Sequence, residues 1–490
     1  MRAFEPPLWQ LGEASIAEVE LDPGSRDDIP QLLLGLQHLY ITPTLREQVF
    51  QVLDELIPEE VDRNTGRPGM ALWRILVLGV LRLNLNWDYD RLQEMVNQHR
   101  TIRQMLGHGL SDDGETYHLQ TLKDNVSLLT PEILDRINQI VVKAGHELRK
   151  KTKAQELSGR CDSFVVETDV HYPTDTNLLF DALRKVISLS AQASKEYGLM
   201  GWGKSAYNLR QVKRLFRRTQ QVKPSTSPNA QKRAKRDKDR KKAYRKYLKQ
   251  AEVLVQRGEE TLSMLPEEAE GTPLAVAVEI ERFLVHAHRQ IDQIERRVLL
   301  GKRIPHHEKL FSLFEEHTEW ISKGKAGVPV ELGLNICILE DQYGFILHHR
   351  VMEEETDDAV AVPVVEDTQK RFPQLKRCSF DYGFYTPDNR SKLRSLLEVS
   401  VLPSKGTLST EEAAFEASDE FVAARRQHAA VESAINALEV HGLDRCPDHG
   451  IDGFKRYVAL AVVARNIQQV GALLQKKEAA AHKRRRKKAA

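Results

Sequence analysis

Residues 161–173 read CDSFVVETDVHYP. Phe, Val and Thr at this density favour a pleated strand. What lies on either side gives the strand its place. Upstream, residues 119–153 are helix-patterned, with Thr130 as a cap and Pro131 at the first helical position. Downstream, Thr174 or Asp175 caps a helix, NLLFDALRKVISLSAQA. Then comes a long, charged, helix-patterned stretch from about Lys204 to Lys323 with little strand character, expected to form an α-helical insertion such as an antiparallel hairpin. Strand character returns at ELGLNICILE (331–340). A turn at DQYG leads into FILHHRVMEE, which makes a hairpin. A helix over about 359–371, the short strand KRCSFDYGF, the helix TPDNRSKLRSLL and the strand EVSVLP follow. A long helix through FVAARRQHAAVESAINALEVHG and a final apolar-striped helix, GFKRYVALAVVARNIQQVGALLQKK, complete the order. The pattern is α/β, one sheet interrupted by a helical insertion, and no period of 20–50 residues repeats.

The first 155 residues read as helices. Gly66-Arg67-Pro68-Gly69 is a turn, followed by an apolar helix over about 71–85. Arg74 and Arg82 interrupt this run, which is too short and too charged to span a bilayer. Shorter helices over 87–97 and 101–106 carry Arg100 and Arg103 near the last, a pattern open to a helix-turn-helix or to a supporting bundle. The N-terminus shows no apolar secretory core. Cys161, Cys337, Cys378 and Cys446 are too scattered for a disulfide scaffold, so a reducing cytosol is expected.

The chain has 490 residues and a formal net charge of +2, with 72 Lys and Arg against 70 Asp and Glu. That balance hides two concentrated tracts. Residues 231–249, QKRAKRDKDRKKAYRKYLK, hold 11 basic residues and two Asp; the tail 476–490 holds eight basic residues and one Glu. The remainder is acidic, with 53 basic residues against 67 acidic ones. Clustered cations on an acidic body suit a polyanion, because counterion release rewards clustering. A solvated helix face is the plainer account. Lys232, Arg233, Lys235, Arg236, Lys241 and Lys242 are the candidate phosphate contacts, and Tyr244, Tyr247 and Trp202 either stack on bases or anchor their own helices and loops.

Three acidic residues hold telling places in the element order. Asp162 lies on the first strand, Asp381 ends the fourth just before a Gly turn, and Glu432 lies on the helix after the fifth. Carboxylates so placed suit Mg²⁺ or Mn²⁺, hard cations that take oxygen ligands. Two such ions roughly 3.5–4 Å apart serve phosphodiester chemistry. Asp169, Asp175, Glu366 and Asp388 are rivals: Asp169, seven residues on, faces the opposite side of an unbroken strand from Asp162, Asp175 is a helix cap, Glu366 lies on a preceding helix and Asp388 in a turn. His441, Cys446 and His449, with Cys378 as a distant fourth, have a spacing zinc permits, though a loop between helices explains the same residues.

On these motifs the chain resembles the DDE transposases of bacterial insertion sequences, near the ISNCY group. Gly66-Arg67-Pro68, the apolar helix and WDYDRLQEMVNQHRTIRQMLG resemble their N-terminal helical domain. CDSFVVETDVHYPTDTNLLFDALR resembles the first catalytic strand and its sequel, SFDYGFYTPDN the second-Asp motif, and RRQHAAVESAIN the Glu motif. The resemblance implies an RNase H-like mixed-sheet core in which Asp162, Asp381 and Glu432 hold two Mg²⁺ (Mn²⁺ as substitute). It also implies cleavage at terminal inverted repeats, joining of 3′-hydroxyl ends to target DNA, and a homodimer or larger synaptic complex on double-stranded DNA in the bacterial nucleoid. The Tyr, Arg and Lys that many relatives place around the catalytic Glu are replaced by Arg425, His428 and Glu439, so those flanking roles are not carried over. His428, one helical turn before Glu432, is a candidate phosphate contact.

The expected organisation is a helical DNA-binding domain over 1–155, core over 156–203, basic helical insertion over 204–328, core over 329–475 and a basic disordered tail over 476–490. Two other functions fit the same residues: an RNase H-like endonuclease without strand transfer, and a non-catalytic domesticated DNA-binding protein.

Overall fold

A computed structural model describes residues 15–22, 24–57, 69–109, 115–149, 156–266, 274–322, 329–406 and 408–489. Three residues of the expected Gly66–Gly69 turn lie outside these. The chain divides into two compact units, one of residues 1–169 with 319–490, the other of residues 170–318.

The first unit opens with seven helices: α1 (Asp28–Ile41), α2 (Pro43–Asp54), α3 (Leu72–Asn84), α4 (Tyr89–Gln98), α5 (Arg100–Met105), α6 (Leu119–Val126) and α7 (Pro131–Arg149). The strand β1 (Leu157–Thr168) follows. The second unit is then inserted, with helices α8 (Asp175–Glu196), α9 (Ser205–Gln221), α10 (Ala230–Met264) and α11 (Ala275–Ile294). The chain returns to the first unit through β2 (Glu319–Ser322), β3 (Val330–Asp341), β4 (Ile346–Met352), α12 (Asp357–Arg371), β5 (Leu375–Phe380), α13 (Pro387–Leu396) and β6 (Val399–Val401). It ends with α14 (Thr410–Glu416), α15 (Asp419–His428), α16 (Ala430–Leu438), β7 (Arg445–Cys446) and α17 (Gly450–Ala489).

The strands form one mixed sheet in the order β2-β3-β1-β5-β6, with β4 also on β3 and β7 also on β1. β1 is central, antiparallel to β3 and parallel to β5. β3 and β4 form the expected hairpin: Asp341 Oδ1 accepts from the N–H of Tyr343 (2.8 Å) and Phe345 (3.0 Å), and Gly344 takes φ +83° at the turn. Gly333 of β3 is flanked by Glu167 of β1 on one side and Glu319 of β2 on the other. The inserted unit therefore leaves and rejoins the sheet only two strand spacings apart.

Side chains of α17 and α3 dominate the helical part of the core. Every residue of α3 is buried. Of the described residues, one helical stretch, Gly450–Ala481, is long and apolar enough to cross a membrane, and 72% of its apolar window is buried inside the protein, as in a core helix. α17 crosses α1 at Gly35 and Gly471. A Cβ on Gly35 would collide with the Ile467 carbonyl, and one on Gly471 with the Gln31 carbonyl, so the two backbones touch where only glycine allows it.

Three expectations differ from the structure. The inserted unit begins at Val170, not Lys204, and ends at Thr318, not residue 328. The reason is packing: α8 buries Leu179, Leu183 and Val186 in one cluster with Val255 of α10 and Phe283 and Leu284 of α11, while Glu319–Ser322 pairs with β3. The long helix expected through residues 421–442 is divided at Ala429 and ends in a π-turn over Glu439–Leu443. The tail expected to be disordered from 476 continues as helix through Ala489, since Lys-Lys-Glu-Ala-Ala-Ala extends a helix already nucleated on a buried segment.

Candidate active site

The neighbours of β1 decide what surrounds Asp162. Cys161 stands beside Phe380 in the parallel pairing with β5, so one further step along both strands brings Asp162 beside Asp381. Side chains alternate across a sheet. Cys161, Cys378 and Phe380 enter the core, which turns Arg160, Ser379 and Asp381 to the other face.

Helix α15 covers that face. Arg377 pairs with Glu420 at 3.2 Å, Arg160 donates to the Gln427 carbonyl at 3.5 Å, and Ser379 Oγ meets His428 Nδ1 at 3.0 Å. Ala429 keeps a right-handed helical backbone (φ −55°, ψ −17°), so α16 continues nearly in line and carries Glu432 one turn past His428. Strand register and helix periodicity thus bring all three expected carboxylates into one neighbourhood.

The electrostatics agree. The Asp162 carboxyl is pushed up to about 6, first by burial and then by the negative charges of Asp381, Asp357 and Glu432. The Ser163 N–H, donating to Asp162 Oδ1 at 2.7 Å, opposes the rise. Asp381 and Glu432 are exposed, so the cluster opens to solvent. His428 is held below its usual range, chiefly by burial, with Arg160 and Arg425 adding to the effect and Asp381 and Glu432 opposing it. Its Nε2 is buried without a hydrogen-bond partner among the described residues. Its ring is seated on Ser379, between α15 and the sheet.

Asp357 was not anticipated. It opens α12, and its Oδ1 accepts from Ser163 Oγ at 2.6 Å. Its carboxylate lies against Gly383, where an added Cβ would approach Asp357 closer than real Cβ atoms do. The Gly of Asp381-Tyr-Gly-Phe therefore makes room for a fourth carboxylate. The signal was present in the sequence, Thr356 followed by two acids, but it reads as an ordinary helix start.

The donor chemistry fits a hard divalent cation: carboxylate oxygens around a buried Asp162 whose ionisation its neighbours oppose. Among the described residues, no group of three or more His, Cys, Asp or Glu side chains is arranged to hold a metal ion as it stands. Cys446 and Cys378, offered with His441 and His449 for zinc, are held apart by β1. Cys446 pairs with Thr168 and Cys378 with Gly159, nine residues of strand or roughly 30 Å away.

The expected DNA contacts lie on several elements. Arg100 is exposed on α5, but Arg103 is half-buried and donates to the Glu115 carbonyl at 3.2 Å. Of the helices around them, α3 is wholly buried, α5 is six residues long, and α4 buries only Leu92 and Val96. In the second unit Lys232, Arg233, Lys235, Arg236 and Lys242 are exposed on α10. Arg233 and Arg236 also tie the helix to the preceding loop through the carbonyls of Ser227, Pro228, Gln221 and Lys223, and Lys241 pairs with Asp237 at 3.2 Å. Tyr244 and Tyr247 turn inward, and Trp202 is buried with its Nε1 donating to Thr261 Oγ1 at 2.7 Å, so all three anchor the helices. Sequence reading placed α9 in a helical stretch but missed its cations; the helix holds no acidic residue. Its Arg210, Lys213, Arg214, Arg217 and Arg218 are all exposed, within an arc of one helix face, and none has a carboxylate partner among the described residues.

No known family model, curated protein or solved structure matches the chain.

Proposed function

We propose that the chain is a transposase that cuts DNA at the terminal inverted repeats of an insertion sequence and joins the freed 3′-hydroxyls to target DNA. The carrying observation is the convergence on Asp162 of Asp381, from the parallel neighbour strand, and Glu432, from the helix lying on the same face. The order β4-β3-β1-β5-β6, an antiparallel meander continued by two strands parallel to β1, supports an RNase H-like reading of the sheet.

Asp162, Asp381 and Glu432 would hold Mg²⁺, with Mn²⁺ as substitute and two ions per site. When bound, the metal supplies Lewis-acid charge to the phosphodiester and lowers the pKa of water. The chain's own residues do the rest. Ser163 and burial fix Asp162, while α15 clamps the sheet and sets Glu432 over it. The exposed cations of α9 and α10 hold backbone phosphates without reading sequence. Water attacks in line to free a 3′-hydroxyl, which attacks the target by the same geometry. Two ends must be joined, so a homodimer or larger synaptic complex in the nucleoid follows.

The test is cleavage of DNA bearing the gene's own flanking ends, by wild type and Glu432→Gln, in Mg²⁺ and in EDTA. Metal-dependent nicking at the repeat boundary, lost in the variant, is the expected result. Cleavage that survives Glu432→Gln removes Glu432 from the site. No cleavage by wild type, despite tight binding to the ends, turns the reading to a DNA-binding protein.

A further inference from the structure

An acidic pocket repels the DNA strand it is meant to cut, so what borders the carboxylates matters as much as the carboxylates. Three side chains border them at the turn after Asp381. Tyr382, the residue after Asp381, is 43% exposed although its neighbour Phe384 is fully buried. The Arg425 guanidinium lies over the Tyr382 ring, 5.9 Å from its centroid. Lys405 reaches the same turn, its Nζ 3.4 Å from the Gly383 carbonyl. Neither cation has a carboxylate partner among the described residues, whereas other exposed cations of this unit, such as Arg377 and Arg445, are paired.

Placement follows from the backbone. The 3₁₀ turn Tyr382–Phe384 begins at Asp381, so the strand end that presents the carboxylate also presents the ring. Arg425 precedes His428 by three residues and Glu432 by seven, which sets all three along one helical face. His428 meets the sheet and Arg425 meets the ring. The aromatic plane and its cation are thus fixed by the same two elements that fix the carboxylates.

We infer that Tyr382, Arg425 and Lys405 form a nucleotide clamp beside the carboxylates. Tyr382 stacks on one unpaired base of the strand to be cut, and Arg425 and Lys405 take the phosphates on either side of that nucleotide. Base stacking on an aromatic ring contributes roughly 1–3 kcal/mol per base and tolerates any sequence. A base inside a duplex has no free face, so the clamp selects a frayed or forked end over a blunt duplex. The inference rests on the proposed function for its setting, and it adds the kind of DNA that the site receives.

The experiment uses the full-length protein in Ca²⁺, with forked duplexes carrying 5-iododeoxyuridine at successive positions around the junction. Irradiation should crosslink one position to the peptide containing Tyr382. Tyr382→Ala should abolish that crosslink and weaken forked-DNA binding about ten-fold while leaving blunt-duplex binding unchanged; Tyr382→Trp should restore both. Arg425→Gln and Lys405→Gln should each make the salt dependence of forked-DNA binding shallower by about one unit of log-log slope. Equal binding of forked and blunt DNA by wild type and Tyr382→Ala overturns the clamp, as do crosslinks that bypass Tyr382. Parallel cleavage assays in Mg²⁺ separate the two ideas. Cleavage with no effect of Tyr382→Ala sinks the clamp alone. Crosslinking at Tyr382 without cleavage by wild type sinks the transposase reading alone. A wild type that binds neither DNA sinks both.

Discussion

The sheet around Asp162 and the helices α9 and α10 carry opposite charge and rest on opposite kinds of order. Around Asp162, position is set residue by residue. A register between parallel strands aligns two acids, a helical turn places a third, and a glycine makes room for a fourth. On α9 and α10 nothing so exact is needed. Exposed Lys and Arg on long side chains fill an arc, and most of the tract on α10 faces solvent. The contrast teaches which region tolerates change. Metal-assisted chemistry needs carboxylates held within fractions of an ångström, whereas binding a phosphate needs charge and reach.

The largest expected effect tests that division directly. Asp381→Asn should lower the cleavage rate by more than the roughly 10–100-fold that loss of an outer-shell partner costs, while DNA affinity in Ca²⁺ stays within about two-fold of wild type. A matching loss of affinity would break the comparison, because the carboxylates would then be binding DNA as well. Next is the converse. Replacing Arg210, Lys213, Arg214, Arg217 and Arg218 with Gln should weaken DNA binding roughly ten- to hundred-fold at physiological salt, and every phosphate left without its cation should flatten the log-log salt slope by about 0.9. The cleavage rate at saturating DNA should not change. Fluorescence anisotropy across a salt series, beside single-turnover cleavage, reads both.

Gly383→Ala sharpens the claim of exact placement. The added methyl has to displace Asp357 or the turn after Asp381, which should cost about 1–3 kcal/mol of stability. Gly406→Ala, at a position with open space but a φ of +91°, separates backbone strain from steric collision. Thermal melts of the two variants decide whether collision is the cause.

The smallest effect is a pH dependence confined to the sheet. Asp162 is raised to about 6 and Glu340 to about 7, each chiefly by burial and by neighbouring acids, with Arg160 partly offsetting the rise at Glu340. Both folded values exceed the ordinary ones of 3.8 and 4.5, so over that window the folded protein holds more protons than the unfolded chain. Stability from these groups therefore falls as pH rises from about 4 to about 7. Asp162→Asn should flatten part of that fall and raise the melting temperature at pH 7.5 in EDTA by a few degrees. A steeper fall in the variant would reverse the assignment.

Much of the sheet could be read from the sequence because its strands are long or β-branched and its helices are capped by rule. Thr130 and Thr174 accept from Ile133 and Asn177 at the helix starts where a cap was expected. β2 and β7 were missed because four and two residues carry no period; they are strands only because β3 and β1 offer a partner. The allegiance of α8 was misread because an apolar stripe says that a face is buried, not against what. The cations of α9 escaped notice because apolar and polar residues separate them, so that they become a surface only once wound at 3.6 residues per turn. Asp162, Asp381 and Glu432 were singled out by their place in the element order and by a resemblance. Asp357 belonged to neither and required the side-chain hydrogen bond from Ser163.

Gly333 touches both the strand from which the inserted unit departs and the strand to which it returns. Those two exits are about 10 Å apart, a gap that about three or four extended residues span. About 150 residues are thus hung on the sheet at a doorway one short linker wide. The sheet is the chassis, and the inserted helices join it at one place.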